Sequence, residues 1–196
     1  MTAANSTRIN QVAGRSLPEL IAILASMIGL AALSIDIMLP ALPDISDSFG
    51  LTGANDRQLV ITFYLLGFAG GQLLFGPLSD RFGRRPILVV GLVIYALASV
   101  ATFLVDEFSL LLAARAVQGI GCAAPRVIAI AVVRDLFGGR DMACVMSFVM
   151  MVFILVPVLA PTIGDGILYL GEWPWIFLFL TGASLVVLAL IHPSTS

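Results

Sequence analysis

The sequence predicts an all-α membrane protein with six transmembrane helices, and three observations support this fold class. Sixty per cent of the 196 residues are hydrophobic and only 11% are charged, with a mean hydropathy of +1.07. A soluble domain of this size could not bury so much apolar side chain. The apolar residues fall into six long runs, and the arginines lie mainly in alternate links between those runs.

The six apolar runs define the predicted helices, which together form one transmembrane domain over residues 17–192. Their approximate bounds are 17–42, 57–79, 85–103, 109–136, 142–163 and 175–191. Each run is close to the length of about 20 apolar residues that a helix needs to cross a bilayer. Residues 1–16 are predicted to be a cytoplasmic tail, and residues 193–196 a cytoplasmic end. The apolar run behind the polar tail is too long for the core of a cleaved signal peptide.

The first three predicted helices differ in what interrupts them. The first contains Asp36 and Pro40 near its end. Residues 58–79 and 87–105, which include most of the second and third helices, contain no charged side chain. The short turn at residues 76–86 joins these two helices and carries three arginines. A link this short and this basic is typical of the cytoplasmic side of a membrane protein.

The last three predicted helices carry unusual residues for a membrane span. The fourth is long and contains Arg115 and Arg126. The fifth contains Pro157 and Pro161, whose spacing of four places both on one face of a bent helix. Such a helix suits either tight packing or a hinge. Aromatic residues typical of a membrane interface lie before and at the start of the sixth helix: Tyr169, Trp173 and Trp175.

The distribution of charge predicts the side of the membrane on which each link lies. The tail, the second link and the fourth link, with the last turn of the fourth helix, carry seven arginines: Arg8, Arg15, Arg81, Arg84, Arg85, Arg134 and Arg140. The other three links carry one arginine, Arg57, and seven acidic residues: Asp44, Asp47, Asp56, Asp106, Glu107, Asp165 and Glu172. Because positively charged links stay in the cytoplasm, we expect both termini to be cytoplasmic.

Three charged side chains lie deep in the predicted helices, away from their ends, where each costs roughly 2.5–3.5 kcal/mol or more at mid-depth. Two of them, Asp36 and Arg115, lie at matching depth, about 9 Å below the acidic surface at about 1.5 Å per residue. They suit either a structural salt bridge that holds the helices together or a proton-coupling pair. In the second interpretation Asp36 is a protonatable carboxylate controlled by the arginine, and proton entry competes with substrate release.

The third buried charge, Arg126, follows Pro125 about midway along the fourth helix. A proline at this position bends the helix and frees backbone carbonyls. No further acidic residue deep in the membrane remains to neutralise Arg126. We therefore expect Arg126 to face a water-filled cavity, a second chain or an anionic ligand.

Several functional classes are excluded by what the sequence lacks. The single histidine, His192, is at the chain end, so one chain offers no histidine-based catalytic site. Cys122 and Cys144 lie in or beside apolar runs and have no disulfide or metal-ligand pattern. No arrangement of an intramembrane protease is present, and nothing indicates nucleic-acid binding. We expect no enzyme activity, no cofactor and no metal.

Three motifs carry a resemblance to a known family. The turn Gly-x-Leu-x-Asp-Arg-x-Gly-Arg-Arg-Pro at 76–86 closely resembles the signature between helices two and three of the major facilitator superfamily. Residues 115–124, Arg-x-x-Gln-Gly-x-Gly-x-Ala-Ala, resemble the helix-four signature of its drug:proton antiporters. Residues 34–43 look like their helix-one signature. Together with Arg134 and Asp135, they are similar to the bicyclomycin/chloramphenicol-resistance branch.

This resemblance implies a transporter of the bacterial cytoplasmic (inner) membrane that exports small amphipathic compounds in exchange for protons by alternating access. Asp36 and Arg115 would take part in proton coupling. The implied substrate cavity contains Asp36, Met38, Arg115, Gln118 and Arg126. The implied gating and conformational residues are Gly76, Asp80, Arg81, Gly83, Arg84, Arg85, Arg134, Asp135, Pro157 and Pro161.

The chain also departs from the family pattern. The helix-five signature is reduced to Pro161 and Gly164, with Ala160 and Asp165 where glycines are usual. The opening of the sixth helix reads Trp-Pro-Trp at 173–175 and lacks the usual arginine. Family members have twelve helices, whereas six are predicted here, so the chain corresponds to an N-terminal half.

Two hypotheses follow from the half length. In the first, two copies insert in the same orientation and form a homodimer of half-transporters around a shared cavity, surrounded by membrane lipid. Asp80 of one copy would then lie near residues 141–142 of the other, where a helix begins. In the second, the chain is a truncated N-terminal half, or a subunit, without independent transport activity.

Overall fold

The computed structural model describes residues 16–53 and 55–191, except for the side chain of Arg140. Within this part the secondary structure is entirely helical. The helices are α1 (Leu17–Asp36), α2 (Leu42–Ser48), α3 (Leu59–Phe82), α4 (Arg84–Phe103), α5 (Phe108–Leu136), α6 (Gly139–Leu170) and α7 (Trp175–Ile191), with a 3₁₀ turn at Asp56–Gln58. Five are long and apolar enough to cross a membrane, and α7 is a shorter apolar helix of 17 residues.

The predicted fold class is therefore confirmed: six apolar helices and the short α2 make up the described chain. The predicted tail at residues 1–15 and the predicted end at 192–196 lie outside the described residues. The links between helices lie alternately at two ends of the bundle. We call the end with residues 37–58, 104–107 and 171–174 the acidic end, and the end with Gly83 and residues 137–138 the basic end.

Helix α1 ends at Asp36, six residues before the predicted end at residue 42. Pro40 explains the difference, because proline disfavours the helical conformation of the residue before it and has no backbone N–H. Residues 37–41 instead form tight turns, in which Met38 N–H donates to Ile35 O at 3.2 Å. Helix α2 then starts with Pro43 in its first turn, where proline is tolerated.

Helix α6 extends beyond the predicted range of 142–163 and covers 32 residues. It runs through Pro157, Pro161 and Asp165 without a break. In a bilayer an interrupted helix would leave backbone groups without water partners, so the remaining hydrogen bonds favour continuation past each proline. At about 1.5 Å per residue the helix is about 48 Å long, which exceeds the hydrocarbon core of about 30 Å.

Helix α5 is the axis around which the bundle packs. Its most extensive contacts are with α3 and α4, and it also contacts α1. Close approach to α3 depends on Gly119, because a Cβ atom there would lie 2.1 Å from Tyr64 O. Small residues of this kind let two backbones pack directly in a membrane. The buried core of the bundle lies between α5 and these neighbours.

Helix α6 presents the opposite case. In its most apolar stretch of 18 residues only 11% is buried, whereas 56% is buried in the corresponding stretches of α1 and α5. Its main contact is with α1. Apolar side chains cover nearly all of its surface, and a similar exposed stripe on α3 consists of Leu65, Leu66, Leu73 and Leu74. These two faces require lipid or another protein surface as their neighbour.

Candidate functional site

The guanidinium of Arg115 is at the centre of a buried polar site. The side chain has no exposed area although it carries a charge. Nη2 donates to the carbonyl of Ser34 at 3.2 Å, and Nε donates to the carbonyl of Val60 at 3.3 Å. Nη1 donates to Oε1 of Gln118 at 2.5 Å. These acceptors come from α1, α3 and α5, so one side chain joins three helices.

The network continues from Gln118 to a fourth helix. Gln118 Nε2 donates to Ser99 Oγ at 2.6 Å, and Ser99 Oγ donates to Tyr95 O at 2.9 Å. Tyr95 Oη and Ser34 Oγ are 2.6 Å apart. Because Ser34 Oγ donates to Leu30 O at 2.7 Å, the tyrosine hydroxyl is the donor in that pair. The bonds lead back to Ser34, the residue whose carbonyl binds Arg115.

Two aromatic rings enclose the guanidinium. Arg115 Cζ lies 4.5 Å from the centroid of the Tyr64 ring and 5.7 Å from that of Phe177. Cation–π contacts of this kind stabilise a desolvated cation by about 2 kcal/mol or more. Tyr64 also donates to Ala31 O at 3.5 Å. Through Phe177 the site reaches α7, so five of the six long helices contribute to it.

Asp36 does not pair with Arg115. In the described part of the chain, the one ion pair joins Arg84 to Asp135, and Asp36 is half-buried at the end of α1. The structural salt bridge considered from the sequence is therefore wrong for this conformation. The guanidinium donates hydrogen bonds to backbone carbonyls instead, because these carbonyls belong to helices that pack against α5.

Arg115 and Asp36 are nevertheless linked through the end of α1. The N–H groups of Ile37 and Met38 are the ones a helix would direct to the carbonyl of Ser34. They donate to Leu33 O and Ile35 O instead, so the carbonyl of Ser34 is left for Arg115. Carbonyls in the last turn of a helix lack partners within the helix and carry a partial negative charge. Arg115 satisfies one of them, two residues before Asp36.

Gly164 brings α6 to the same place. A Cβ atom on Gly164 would lie 2.5 Å from Ile37 O and 2.9 Å from Pro40 Cγ. The glycine retained from the helix-five signature therefore permits contact between α6 and the turn that follows Asp36. The structure gives this position a packing role that sequence spacing alone did not show.

The predicted cavity residues divide into two groups. Met38, Arg115 and Gln118 have no exposed area, so in this conformation they do not line an open cavity, contrary to prediction. Asp36 and Arg126 are half-buried. Tight packing of α1 against α5 covers the first group.

The neighbours of Arg126 are aromatic. Its Cζ lies 5.8 Å from the centroid of Phe68 on α3 and 5.7 Å from that of Phe153 on α6. Among the residues that the structure describes, Arg126 forms no ion pair. The side chain thus lies between the two helices that have the large exposed faces.

The basic end brings several predicted gating residues together. The ion pair between Arg84 and Asp135 joins the start of α4 to the end of α5. A cavity of about 350 Å³ lies beside it, lined by Gly76, Ser79, Asp80, Arg84, Val127, Ile130, Ala131, Arg134 and Asp135. Gly83, with φ of +92°, forms the junction between α3 and α4.

Other predicted gating residues lie elsewhere. Arg81 and Arg85 are exposed and do not line the cavity, and Arg81 Cζ lies 5.3 Å from the Phe82 ring centroid. Pro157 and Pro161 lie within the unbroken α6.

Sequence reasoning missed four polar members of the central network: Ser34, Tyr64, Tyr95 and Ser99. The available signal was a polar side chain inside an apolar run, since such groups hydrogen-bond across helices in a membrane. Among the described residues, no group of three or more histidine, cysteine, aspartate or glutamate residues could hold a metal ion.

Charged groups held inside a bundle of apolar helices are typical of membrane transport proteins. Comparison with known proteins makes this class specific. The chain belongs to the Major Facilitator Superfamily, whose family model matches residues 24–194. The family resemblance carried by the three motifs is thereby confirmed, and the chain is classed with transporters rather than enzymes.

Several bacterial relatives are named for drug resistance. A chloramphenicol resistance protein of Pseudomonas aeruginosa is 40% identical over 153 residues, covering 77% of this chain and 36% of the relative. The multidrug resistance protein MdtL of Shewanella oneidensis is 39% identical, covering 80% and 39%. A bicyclomycin resistance protein homolog of Haemophilus influenzae is 34% identical, covering 80% and 39%. The chain thus spans about two fifths of the length of these relatives.

Two solved structures share the fold. The human organic anion transporter MFSD10 (TETRAN) has a TM-score of 0.67 and 22% identity, covering 87% of this chain and 46% of the other. A bacterial homolog of the human lysosomal transporter Spinster, in an inward-facing conformation, has a TM-score of 0.70 and 21% identity, covering 93% and 44%. At this identity the likeness concerns the fold alone.

Proposed function

We propose that this chain exports small amphipathic compounds or drugs in exchange for protons, by alternating access, in the bacterial cytoplasmic membrane. In this proposal both termini are cytoplasmic and the chain works as a homodimer of half-transporters. Relatives named for multidrug and chloramphenicol resistance support the substrate class. The observation that carries the proposal is a fully buried arginine, Arg115, held by carbonyl groups, one of which lies two residues before the half-buried carboxylate of Asp36.

Proton coupling would depend on competition for Arg115. When Asp36 is protonated, the guanidinium keeps its bonds to the carbonyls of Ser34 and Val60. When Asp36 is ionised, its carboxylate attracts the guanidinium more strongly than a neutral carbonyl does. Because both groups meet at the end of α1, a change of partner would move that end and the Gly164 contact with α6. Proton release and helix movement would then be linked.

Arg126 would contact the substrate. It is half-buried and lies between two phenyl rings, so it offers a charge and an aromatic surface together. An amphipathic compound with an electron-rich polar group and an aromatic ring fits both features. Such a compound would also provide the partner that the described residues do not give Arg126.

The basic end would be the cytoplasmic gate. The Arg84–Asp135 pair joins two helices there, and Asp80 lines the cavity beside it. In the homodimer, Asp80 of one copy would approach residues 141–142 of the other, near the start of α6. A helix start favours a negative charge by about 0.3–1 kcal/mol at an exposed site. Asp80→Asn should therefore weaken the dimer or favour its inward-open form.

The homodimer is supported by the exposed apolar faces of α3 and α6. Two copies in the same orientation, related by an axis along the membrane normal, would cover these faces and enclose a shared cavity. The alternative is that the chain has no independent transport activity and acts as one half of a larger assembly. The greater length of the curated relatives favours this alternative.

Reconstitution distinguishes the two functions. Liposomes that contain only this chain should export chloramphenicol when a proton gradient is imposed, and the chain in nanodiscs should have the mass of a dimer. Asp36→Asn should reduce the gradient-driven flux by about 5- to 150-fold, the range of typical coupling energies. Asp44→Asn, an exposed carboxylate change at the same end, is the matched control. Monomeric mass together with absent flux would refute the homodimer and favour the alternative.

A further inference from the structure

Helix α4 contributes two buried hydroxyl groups to the network around Arg115. Tyr95, Ser99 and Thr102 have no exposed area and follow one another at helical spacings of four and three, so they lie on one face of α4. Thr102 Oγ1 donates to Ala98 O within α4 at 2.8 Å. Ser99 and Tyr95 instead bind side chains of other helices. The proposed transport mechanism assigns no role to these two residues.

The hydrogen bonds of Ser99 determine how its oxygen can bind Gln118. A serine hydroxyl carries one proton, and Ser99 Oγ donates that proton to Tyr95 O at 2.9 Å. Towards Gln118 the oxygen can therefore only accept, and Gln118 Nε2 donates to it at 2.6 Å. The other end of the amide, Oε1, then faces the guanidinium of Arg115. Ser99 thus supports one orientation of the Gln118 amide.

Arg115 requires the same orientation of that amide. A guanidinium has only donors, so it binds the oxygen of the amide and not its NH2 group. A reversed amide would place donors against donors and would leave Oε1 beside a serine oxygen whose proton is already used. Because Ser99, Gln118 and Arg115 have no exposed area, bulk water cannot satisfy these groups. Ser99 is therefore joined to the guanidinium through Gln118, and both of its neighbours depend on its position.

We propose that Ser99 is a positioning residue for proton coupling: it holds the amide of Gln118 in place and so sets how readily Arg115 leaves its carbonyl partners. The proposal rests on the proposed function, in which Arg115 changes from these carbonyls to ionised Asp36. Hydrogen bonds to a charged group are among the stronger ones in proteins, so the Gln118 bond stabilises the carbonyl-bound arginine. Without the serine oxygen the amide can turn away, and the state with ionised Asp36 gains in comparison.

Infrared spectroscopy of the intact chain in liposomes tests this role without requiring transport. The C=O band of a protonated carboxyl group, assigned to Asp36 by its loss in Asp36→Asn, measures how much of Asp36 is protonated at a fixed pH. In Ser99→Ala the ratio of protonated to ionised Asp36 should fall about two- to tenfold, as expected from the net contribution of one hydrogen bond. An unchanged or stronger band would overturn the role of Ser99.

A double-mutant cycle shows whether Ser99 acts through Gln118. Gln118→Met removes the amide and keeps a side chain of similar length. If Ser99 acts through that amide, adding Ser99→Ala to Gln118→Met should leave the Asp36 band as it is in Gln118→Met alone. If Ser99 only packs α4 against α5, its effect should be the same in both backgrounds, and the proposal fails.

Thr102→Val is the matched control, because it removes another buried hydroxyl from the same face of α4 without touching Gln118. It should leave the Asp36 band unchanged. A fall as large as that of Ser99→Ala would indicate general loosening of α4 and contradict the proposal. Ser99→Cys keeps the test available if the alanine variant does not fold. Its sulfur is a weak acceptor, so the ratio should again fall, and an unchanged band would overturn the proposal.

Failure of this proposal can be told apart from failure of the proposed function. If the band assigned to Asp36 is absent throughout the pH range in which proton-driven flux is measured, Asp36 does not couple protons and both proposals fail. If the band is present but does not respond to Ser99→Ala, only the role of Ser99 is refuted. Absent flux with a band that responds to Ser99→Ala would refute transport by this chain alone and support the positioning role.

Discussion

Two arginines of α5, Arg115 and Arg126, have the same side chain and opposite surroundings. They are eleven positions apart, which is close to three full turns, so they lie on nearly the same face and about 16 Å apart along the axis. Arg115 is fully buried, and carbonyls, an amide and two rings surround it. Arg126 is half-buried between two phenyl rings.

This difference shows how a membrane protein can hold charge in two ways. Around Arg115 the chain supplies its own hydrogen-bond acceptors, so the charge belongs to the packed bundle. Around Arg126 the structure supplies two ring faces and leaves the side chain half-buried rather than sealed. Stability should therefore depend on the first arginine, and recognition of other molecules on the second.

The largest expected effect is on stability, from Arg115→Met. The change leaves Gln118 Oε1 and the carbonyl of Ser34 buried without this donor. Each buried group without a partner costs about 1–3 kcal/mol, so for two groups we expect a loss of about 2–6 kcal/mol in the free energy of unfolding. Unfolding in mixed micelles with increasing denaturing detergent measures it. A loss no greater than that of Arg126→Met would remove the distinction between the two arginines.

A smaller loss in the free energy of unfolding is expected from Gly119→Ala, which disturbs the contact between α5 and α3. The new Cβ atom would lie 2.1 Å from Tyr64 O, a backbone atom that cannot turn aside. Overpacking of this kind costs about 1–3 kcal/mol. The control is Gly70→Ala on α3, where nothing lies within 4 Å of the added atom. The same unfolding assay should show the control to be unchanged or slightly stabilised, because alanine favours a helix.

Arg126→Ala should have the smallest effect on stability and a clear effect on substrate. Each of the two cation–π contacts is worth about 0.5–1 kcal/mol at an exposed site, so their loss costs about 1–2 kcal/mol in the free energy of unfolding. Substrate affinity in the liposome assay should fall, whereas Arg126→Lys, which keeps the charge, should recover part of it. If Arg126→Ala unfolds the protein as strongly as Arg115→Met, Arg126 belongs to the packed structure rather than to a binding surface.

Much of the fold could be predicted because hydrophobicity acts locally in a membrane. An apolar run of sufficient length must become a helix, since no water is present to satisfy its backbone. The start of α7 and the end of α5 lie where the apolar runs predict them. The end of α1 was predicted too late, because the apolar run continues through a turn that Pro40 imposes.

The candidate site was predictable only in part. Arg115 and Asp36 were singled out because a charge in an apolar run is costly wherever the helix packs. The sequence did not show how these two residues interact. Equal depth along two helices suggested a pair, but it does not tell which atoms the packing brings closest to the guanidinium. Every residue has a carbonyl group, so no pattern of side chains shows that Ser34 and Val60 bind the guanidinium.

The residues themselves thus establish six apolar helices, the charges buried among them and the family to which they belong, since these depend on the solvent and on residue type. Packing decides the rest. Gly119 allows α5 to touch α3, and close packing of this kind seals Arg115 inside the bundle, whereas Arg126, three turns away, is only half-buried. The physical reason is that burial depends on the distances between helices, and those distances are set by pairs of residues far apart in the chain.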